Sequence, residues 1–471
     1  MSIGALADEI VNRIERAGAE ARAALFEPVI RLGVTGLARA GKTVFITSLV
    51  ANLLDRGRMP QLRAAATGAI RAAWLQPQPD DAVPRFAYER HLSALTGAAP
   101  DWPESTSSIS QLRLSLKVQP GGLLGAVGGL RTVHLDIVDY PGEWLLDLAL
   151  MEQDHAAWSA AALERAASRG SLGAEMLAAL HTADPAAAYD EATAQALAAA
   201  WAGYLRVVRD AGLSDCTPGR FLLPGELAGS PVLTFAPLAR SGPWPRGSLG
   251  REFARRFEAY KREVVRPFFR DHFARIDRQV VLADVLGAIH DGPRAVAELG
   301  DALTAILGAF RPGRGSWLAP LLGRRVERIL FAATKADHLN HEQHGRLTAI
   351  AEALLRQARD RAAFAGAGTA AMSIAALRAT VEETKEHAGR QIGCVRGRLE
   401  DGRQAALYPG ALPEDPMALV DPARAGAEKW LDADYSVMRF LPAPLTLRPG
   451  EGPPHIRLDR AAEFLLGDRL A

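Results

Sequence analysis

Cys216 and Cys394 are the only cysteines in 471 residues, and they lie far apart with no CxxC spacing. That scarcity argues against a disulfide framework and a structural zinc site, and it fits a reducing compartment. Apolar runs of the roughly 20 residues needed to span a bilayer are also missing, so no membrane-spanning helix is expected. The stretch from Met1 to Arg31 carries acidic residues and lacks the apolar centre of a signal peptide. Net charge is nearly absent: 55 basic against 54 acidic residues leave +1, so no overall field draws the chain to nucleic acid or an anionic membrane. The expectation is a cytoplasmic protein without a nucleic-acid partner, whose membrane role, if it has one, is peripheral. Lysine is scarce too, at six positions, Lys42, Lys117, Lys261, Lys335, Lys385 and Lys429, while arginine fills nearly every other basic site. A lysine kept in such a chain marks a place where a compact point charge suits better than a planar guanidinium. What is plentiful is apolar side chain, 48% of the chain, enough for a large core and two or three domains.

Lys42 lies in "GLARAGKT", Gly36 to Thr43, between the apolar alternation Ile30, Leu32, Val34 and the helix-like "VFITSLVANLL". GxxxxGK[ST] between a strand and a helix is a phosphate cradle. Its glycines let successive backbone N–H groups turn inward, and the helix N-terminus adds its dipole. Ala38, Arg39, Ala40, Gly41, Lys42, Thr43 and Val44 are thus expected around the phosphates, with the Lys42 ammonium on the β and γ groups and the Thr43 hydroxyl on Mg²⁺. The alternative is a strand-to-helix turn that matches by chance, against which the strand before it and the helix after it both count.

The metal partner is expected in "TVHLDIVDYPGEW", where Val133, Leu135 and Ile137 alternate as a strand that ends on Asp139. An acid at a strand's carboxyl end can hold Mg²⁺ through water, while the Gly142 N–H meets a γ-phosphate. DxxG alone is often an ordinary turn; strand, Asp and Gly in this order after a phosphate loop are more specific. The base reader is "RILFAATKADHLN", a buried strand over Ile329 to Ala333 followed by Thr334, Lys335, Ala336 and Asp337. Asp337 can accept from both N1–H and the exocyclic amine of guanine, a donor pair that adenine lacks on that edge. Lys335 would lie with its stem along the base. The nucleotide expected is GTP or GDP.

With TKAD standing for the usual NKxD, the chain resembles Ras-like and translation-factor GTPases. More closely it resembles the YcjX-like family of bacterial P-loop proteins, through "GLARAGKTVFITSL", "LDIVDYPGEWLLDL", "RQVVLADVL", "FAATKADH", "SIAALRAT", "ALYPG" and "PHIRLDRAAEFLLGD". The resemblance implies a Ras-like GTP-binding domain with added elements, a role in stress response and an inner-membrane companion protein. It also implies that the end of "AAMSIAAL", at Ala375 and Ala376, presents a backbone N–H to the base. Glu143 stands where Ras-like proteins commonly carry a water-orienting glutamine. A carboxylate accepts a water proton but has no amide donor, and its charge beside phosphates is unfavourable, so slow hydrolysis is expected.

Spacing organises the rest. Leu112 to Val118 alternates and should form an antiparallel edge strand, joined to the Val133 strand by the glycine-rich tip "QPGGLLGAVGGLR". Gln279 to Leu286 and Ala370 to Leu377 should be further strands, with a helix over Ala295 to Phe310. The expected architecture is α/β: a P-loop fold with a Ras-like mixed sheet and one antiparallel edge strand, plus an inserted, mainly helical domain and a small β-hairpin insertion. Its divisions are a helical extension over 1–29, the GTP-binding domain over 30–144 and 278–390, the helical insert over 145–277, the hairpin and loop insertion over 391–455, turning at Asp401–Gly402, and a terminal helix over 456–471 that packs on the GTP-binding domain. A helical insert directly after the γ-phosphate sensor is positioned to be moved by nucleotide state. The remaining switch hydroxyl is assigned to Thr106, with Ser105, Ser107 and Ser108 beside it, as a Mg²⁺ ligand and catalytic sensor next to Lys42 and Glu143. A polar cap would also explain that loop. His341 and His344 are spaced i, i+3 and read as a solvated helix start, not a metal site. Asp284 faces either the nucleotide or the sheet. Two other functions stay open: a nucleotide-gated scaffold without significant turnover, and an ATPase in which TKAD is incidental.

Overall fold

The computed structural model describes residues 27–37, 39–104, 108–121, 129–240, 242–309, 326–364, 367–387, 389–430 and 435–471. Most of the expected 1–29 extension, Ala38, Thr106 and part of the glycine-rich tip lie outside these residues.

Seven strands form one sheet in the order β2-β3-β4-β1-β5-β6-β7: β1 (Val29–Gly36), β2 (Ile70–Gln76), β3 (Ser110–Val118), β4 (Arg131–Asp139), β5 (Arg278–Ala283), β6 (Arg328–Ala333) and β7 (Gly368–Ser373). From β4 to β7 all neighbours are parallel, while β3 runs antiparallel to both β4 and β2. The central strands carry few charges because both faces are covered. In β6, Ile329, Phe331 and Ala333 enter the core on one face while Leu330 and Ala332 enter the core on the other, the period of two that a strand imposes.

Three expected strands differ from those observed: the one expected over Ala370–Leu377 runs over Gly368–Ser373, since beyond it Ala375 leaves the sheet and exchanges backbone hydrogen bonds with Ile456. The edge is not Leu112–Val118. The strand β2, "IRAAWLQ", pairs outside it, and its two alanines and weak alternation hid it from pattern reading. The expected strand over Gln279–Leu286 stops at Ala283, because the Asp284 side chain accepts from the Gly287 N–H and caps a helix over Val285–Asp291. The apolar Val285 and Leu286 belong to that helix, and a short apolar run does not distinguish the two.

On one face α1 (Lys42–Leu54) and the terminal helix α2 (Leu458–Leu470) bury Phe45, Leu49, Leu465 and Leu466 in a core with β1, β4, β5 and β6, the terminal helix lying against β6. On the other face, helices over His155–Ser168, Glu191–Asp210 and Leu249–Tyr260 follow β4. Their Trp158, Trp201 and Phe257 are continuous with the core under β5 and β6. The helical stretch and the sheet therefore share one hydrophobic core. A second sheet is built on β9 (Arg390–Leu399), which pairs antiparallel with β8 (Val381–His387), with β10 (Gln404–Leu407) and with the short β11 (Phe440–Leu441). Among the described residues no helix is long and apolar enough to cross a membrane.

Candidate nucleotide-binding site

The phosphate loop leaves the carboxyl end of β1, the middle of the sheet, and turns directly into α1. Arg39 (φ 62) and Gly41 (φ 79) both take left-handed backbone, and the turn at Gly41 delivers Lys42 and Thr43 to the first turn of the helix. The Lys42 ammonium donates to the Gly36 carbonyl at 2.7 Å, folded back over its own loop.

Neighbouring β4 brings Asp139 opposite Val34, two residues before that loop begins. Gly142 follows, so close to β1 that a Cβ on it would stand 2.6 Å from the Gly36 carbonyl oxygen and 3.2 Å from the Leu37 nitrogen. The short helix Glu143–Leu146 then runs under the helical stretch. Asp147 ends it, buried, accepting from the Gly219 N–H at 2.7 Å and the Tyr260 hydroxyl at 2.5 Å. Burial pushes its carboxyl up to about 7, against the opposing pull of those two hydrogen bonds and of Arg220. The Arg220 guanidinium lies 3.4 Å above the Trp144 ring. The stretch after DxxG is thus gripped by residues more than seventy positions further on.

At the carboxyl end of β6, Lys335 adopts left-handed backbone (φ 60), and its ammonium is ion-paired with Asp284 at the end of β5. The Thr334 hydroxyl donates to the Ala283 carbonyl at 3.2 Å. Asp337 is 5% exposed; one carboxylate oxygen accepts from the Ala379 N–H at 2.9 Å, and its main-chain carbonyl accepts from the Thr380 hydroxyl. His338 beside it is buried, which lowers its imidazole below the ordinary histidine value. Ala375 exchanges backbone hydrogen bonds with Ile456 at 3.0 and 2.8 Å, so its N–H is already engaged.

One cavity of about 400 Å³ connects these parts, lined at one end by Arg39, Ala40, Gly41, Lys42, Thr43 and Val44, and at the other by Thr334, Lys335, Asp337, His338, Ala375 and Ala376. Asp139, Gly142 and Glu143 are not among its lining residues. Glu143 is 4% exposed, with its main chain packed against Gly219 of the helical stretch. His341 pairs with Glu382, while His344 faces the Ala336 and Leu339 carbonyls. Ala38, expected within the loop, and Thr106, the expected switch hydroxyl, lie outside the described residues. Pattern reading missed Asp284 as the partner of Lys335, although its place at a strand end was visible. It also missed a third wall of the cavity, made by Trp102, Pro103, Leu377, Glu400 and Val437 to Leu441. Trp102 is adjacent to the polar run that drew notice, and nothing in "SVMRFL" signals a binding wall.

A strand-to-helix phosphate loop in a mixed seven-stranded sheet defines a P-loop NTPase-like fold. Residues 30–470 match the model of the YcjX-like family, DUF463, and the chain belongs to that family. It is 36% identical over 456 residues to the Ras-like GTPase YcjX of Escherichia coli (strain K12), an alignment covering 94% of this chain and 96% of the relative. To the Ras-like GTPase YcjX of Shewanella oneidensis it is 35% identical over 466 residues, 94% of each chain.

Proposed function

We propose that this chain is a Mg²⁺-dependent guanine-nucleotide-binding protein that hydrolyses GTP slowly to GDP and phosphate, and that it acts as a molecular switch. The observation that carries this reading is the single cavity with a phosphate loop at one end and a buried, pinned carboxylate, Asp337, at the other. Both relatives are named Ras-like GTPases, which agrees with it.

In this reading the Lys42 ammonium leaves the Gly36 carbonyl for the β- and γ-phosphates, and the loop's N–H groups cradle them. Asp337 accepts from guanine, with Lys335 alongside. Thr43, in the first turn of α1, and Asp139, at the end of β4, are the residues that would hold Mg²⁺: both offer hard oxygens, the donor class that this ion takes, and β4 lies beside the strand that leads into α1. When bound, the ion neutralises phosphate charge. Glu143, a buried carboxylate that does not line the cavity, favours slow turnover. The same observation supports a second reading, a nucleotide-gated scaffold without significant turnover. The helical stretch gripping Asp147 is the part that would read the nucleotide state. A stress-response role and an inner-membrane companion protein rest on family resemblance.

The test is calorimetric titration of GDP, ADP and XDP into the protein and its Asp337→Asn variant, with phosphate release from GTP measured alongside. Asparagine turns half of the acceptor pair into a donor, which opposes guanine's 2-amino group and suits xanthine's 2-oxo group. The variant is expected to lose about ten- to a hundredfold in GDP affinity and to gain XDP affinity, since an unpaired buried polar group costs about 1–3 kcal/mol. Unchanged relative affinities would leave the ATPase reading ahead. Nucleotide binding with no phosphate release would favour the scaffold.

A further inference from the structure

The motifs leave one side of the cavity unexplained. Its third wall is mainly apolar, with Trp102 and Pro103 from the loop before β3, Phe440 and Leu441 from the short strand that closes the second sheet, and Val437 and Met438 from the residues leading into it. Neither segment belongs to a phosphate- or base-edge motif, yet the structure fastens them to each other. The Trp102 indole N–H donates to the Phe440 carbonyl at 2.8 Å, and the Arg398 guanidinium bridges the carbonyls of Pro100 and Pro442. Phe440 itself is buried, its ring edge-on to His338 at 5.3 Å, which fixes this strand beside the residue after Asp337. Trp102 is different: 37% of it is exposed, a large aromatic held at the rim of a cavity.

A ligand whose phosphates lie at Lys42 and whose base edge meets Asp337 must turn the flat faces of its base toward the walls between them. Polar groups serve the edge; a face is served by apolar and aromatic surface, and base–aromatic stacking is tolerant of sequence and worth a large share of affinity. We propose that Trp102, steadied by the Phe440 carbonyl, is the face contact for the nucleobase, and that the second sheet thereby forms part of the nucleotide site. The proposal rests on the guanine-nucleotide reading above. It makes Trp102 a binding residue and gives the C-terminal sheet a role in how tightly nucleotide is kept.

The experiment is GDP affinity of the full chain for the wild type, Trp102→Ala and Trp102→Phe, with melting of each nucleotide-free protein measured in parallel. The alanine variant is expected to bind GDP about tenfold or more weakly at an unchanged melting temperature, which a rim residue allows, while phenylalanine restores most of the affinity. An alanine variant within about twofold of wild type, or a phenylalanine variant as weak as alanine, would overturn the proposal. Failure of the wild type to bind GDP at all would instead overturn the nucleotide reading beneath it. If the alanine variant melts lower, Met438→Ala, from the same wall but outside the Trp102 hydrogen bond, is measured in its place. It must then show weakened GDP binding for the proposal to stand.

Discussion

Lys42 donates to the Gly36 carbonyl across the loop that it closes, and in the proposed function the same ammonium turns to a phosphate oxygen. Lysine suits both uses because its charge is compact and swings on a flexible stem, where a guanidinium fork would demand a matching plane. Truncation should therefore cost binding more than folding. Lys42→Ala is expected to weaken GTP by roughly ten- to a hundredfold, the worth of a hydrogen bond to a charged group at about 1.5–3 kcal/mol, while circular dichroism and melting stay near wild type. Equilibrium titration checks this, and unchanged GTP affinity would remove Lys42 from the site. Lys335 is used differently. Its pairing with Asp284, which also caps the next helix, fixes the ammonium to the scaffold at the end of β5. Of the six lysines, these two line the cavity.

Elements carry information in proportion to how far a local pattern determines them. The strand, turn and helix around Gly41 were legible because the pattern is contiguous: a buried strand, a left-handed glycine and a helix follow one another within a few residues. The strand ending at Asp139 and the strand before Thr334 were legible for the same reason, since burial on both faces leaves an apolar signature. The edge strand Ile70–Gln76 was not, because one exposed side and two alanines weaken the alternation. The third cavity wall was illegible on different grounds. Trp102 and Phe440 are 338 positions apart, and only the tertiary fold brings them together. Contact between elements also yields a prediction that neither element alone would suggest. Gly142 lies against the backbone where β1 becomes the phosphate loop, and an added methyl would meet a carbonyl oxygen at 2.6 Å. Backbone cannot step aside as a side chain can, so Gly142→Ala should displace Gly36 and Leu37. Overpacking of this kind costs about 1–3 kcal/mol. The expected result is a lower melting temperature together with lost GDP affinity; a variant that binds GDP normally would show that this approach is dispensable.

At the scale of the whole molecule, the segment after DxxG meets the helical stretch at a buried acid. Asp147 gathers the Gly219 N–H and the Tyr260 hydroxyl from two separate parts of that stretch. Tyr260 ends a helix and a π-turn over Lys261–Val265 follows it, from which the Lys261 ammonium reaches the Gln153 carbonyl at 2.8 Å. Any movement of the segment from Gly142 to Gln153 must therefore pull on these contacts. Their strength depends on pH. Burial raises the Asp147 carboxyl from 3.8 to about 7, so between those values the folded protein holds a proton that the unfolded chain releases. A raised carboxyl favours the fold when protonated: its contribution is complete below the unfolded value and is lost as pH climbs toward 7, at up to about 1.4 kcal/mol per unit. Asparagine resembles the protonated acid, with a carbonyl for the Gly219 N–H and an amide that can donate to the Tyr260 oxygen. Asp147→Asn should accordingly match wild type in urea unfolding near pH 4 and become progressively more stable than wild type by pH 8. A stability difference that stays flat across this range would mean that Asp147 is ionised in the fold, and that the grip on the helical stretch is an ionic one.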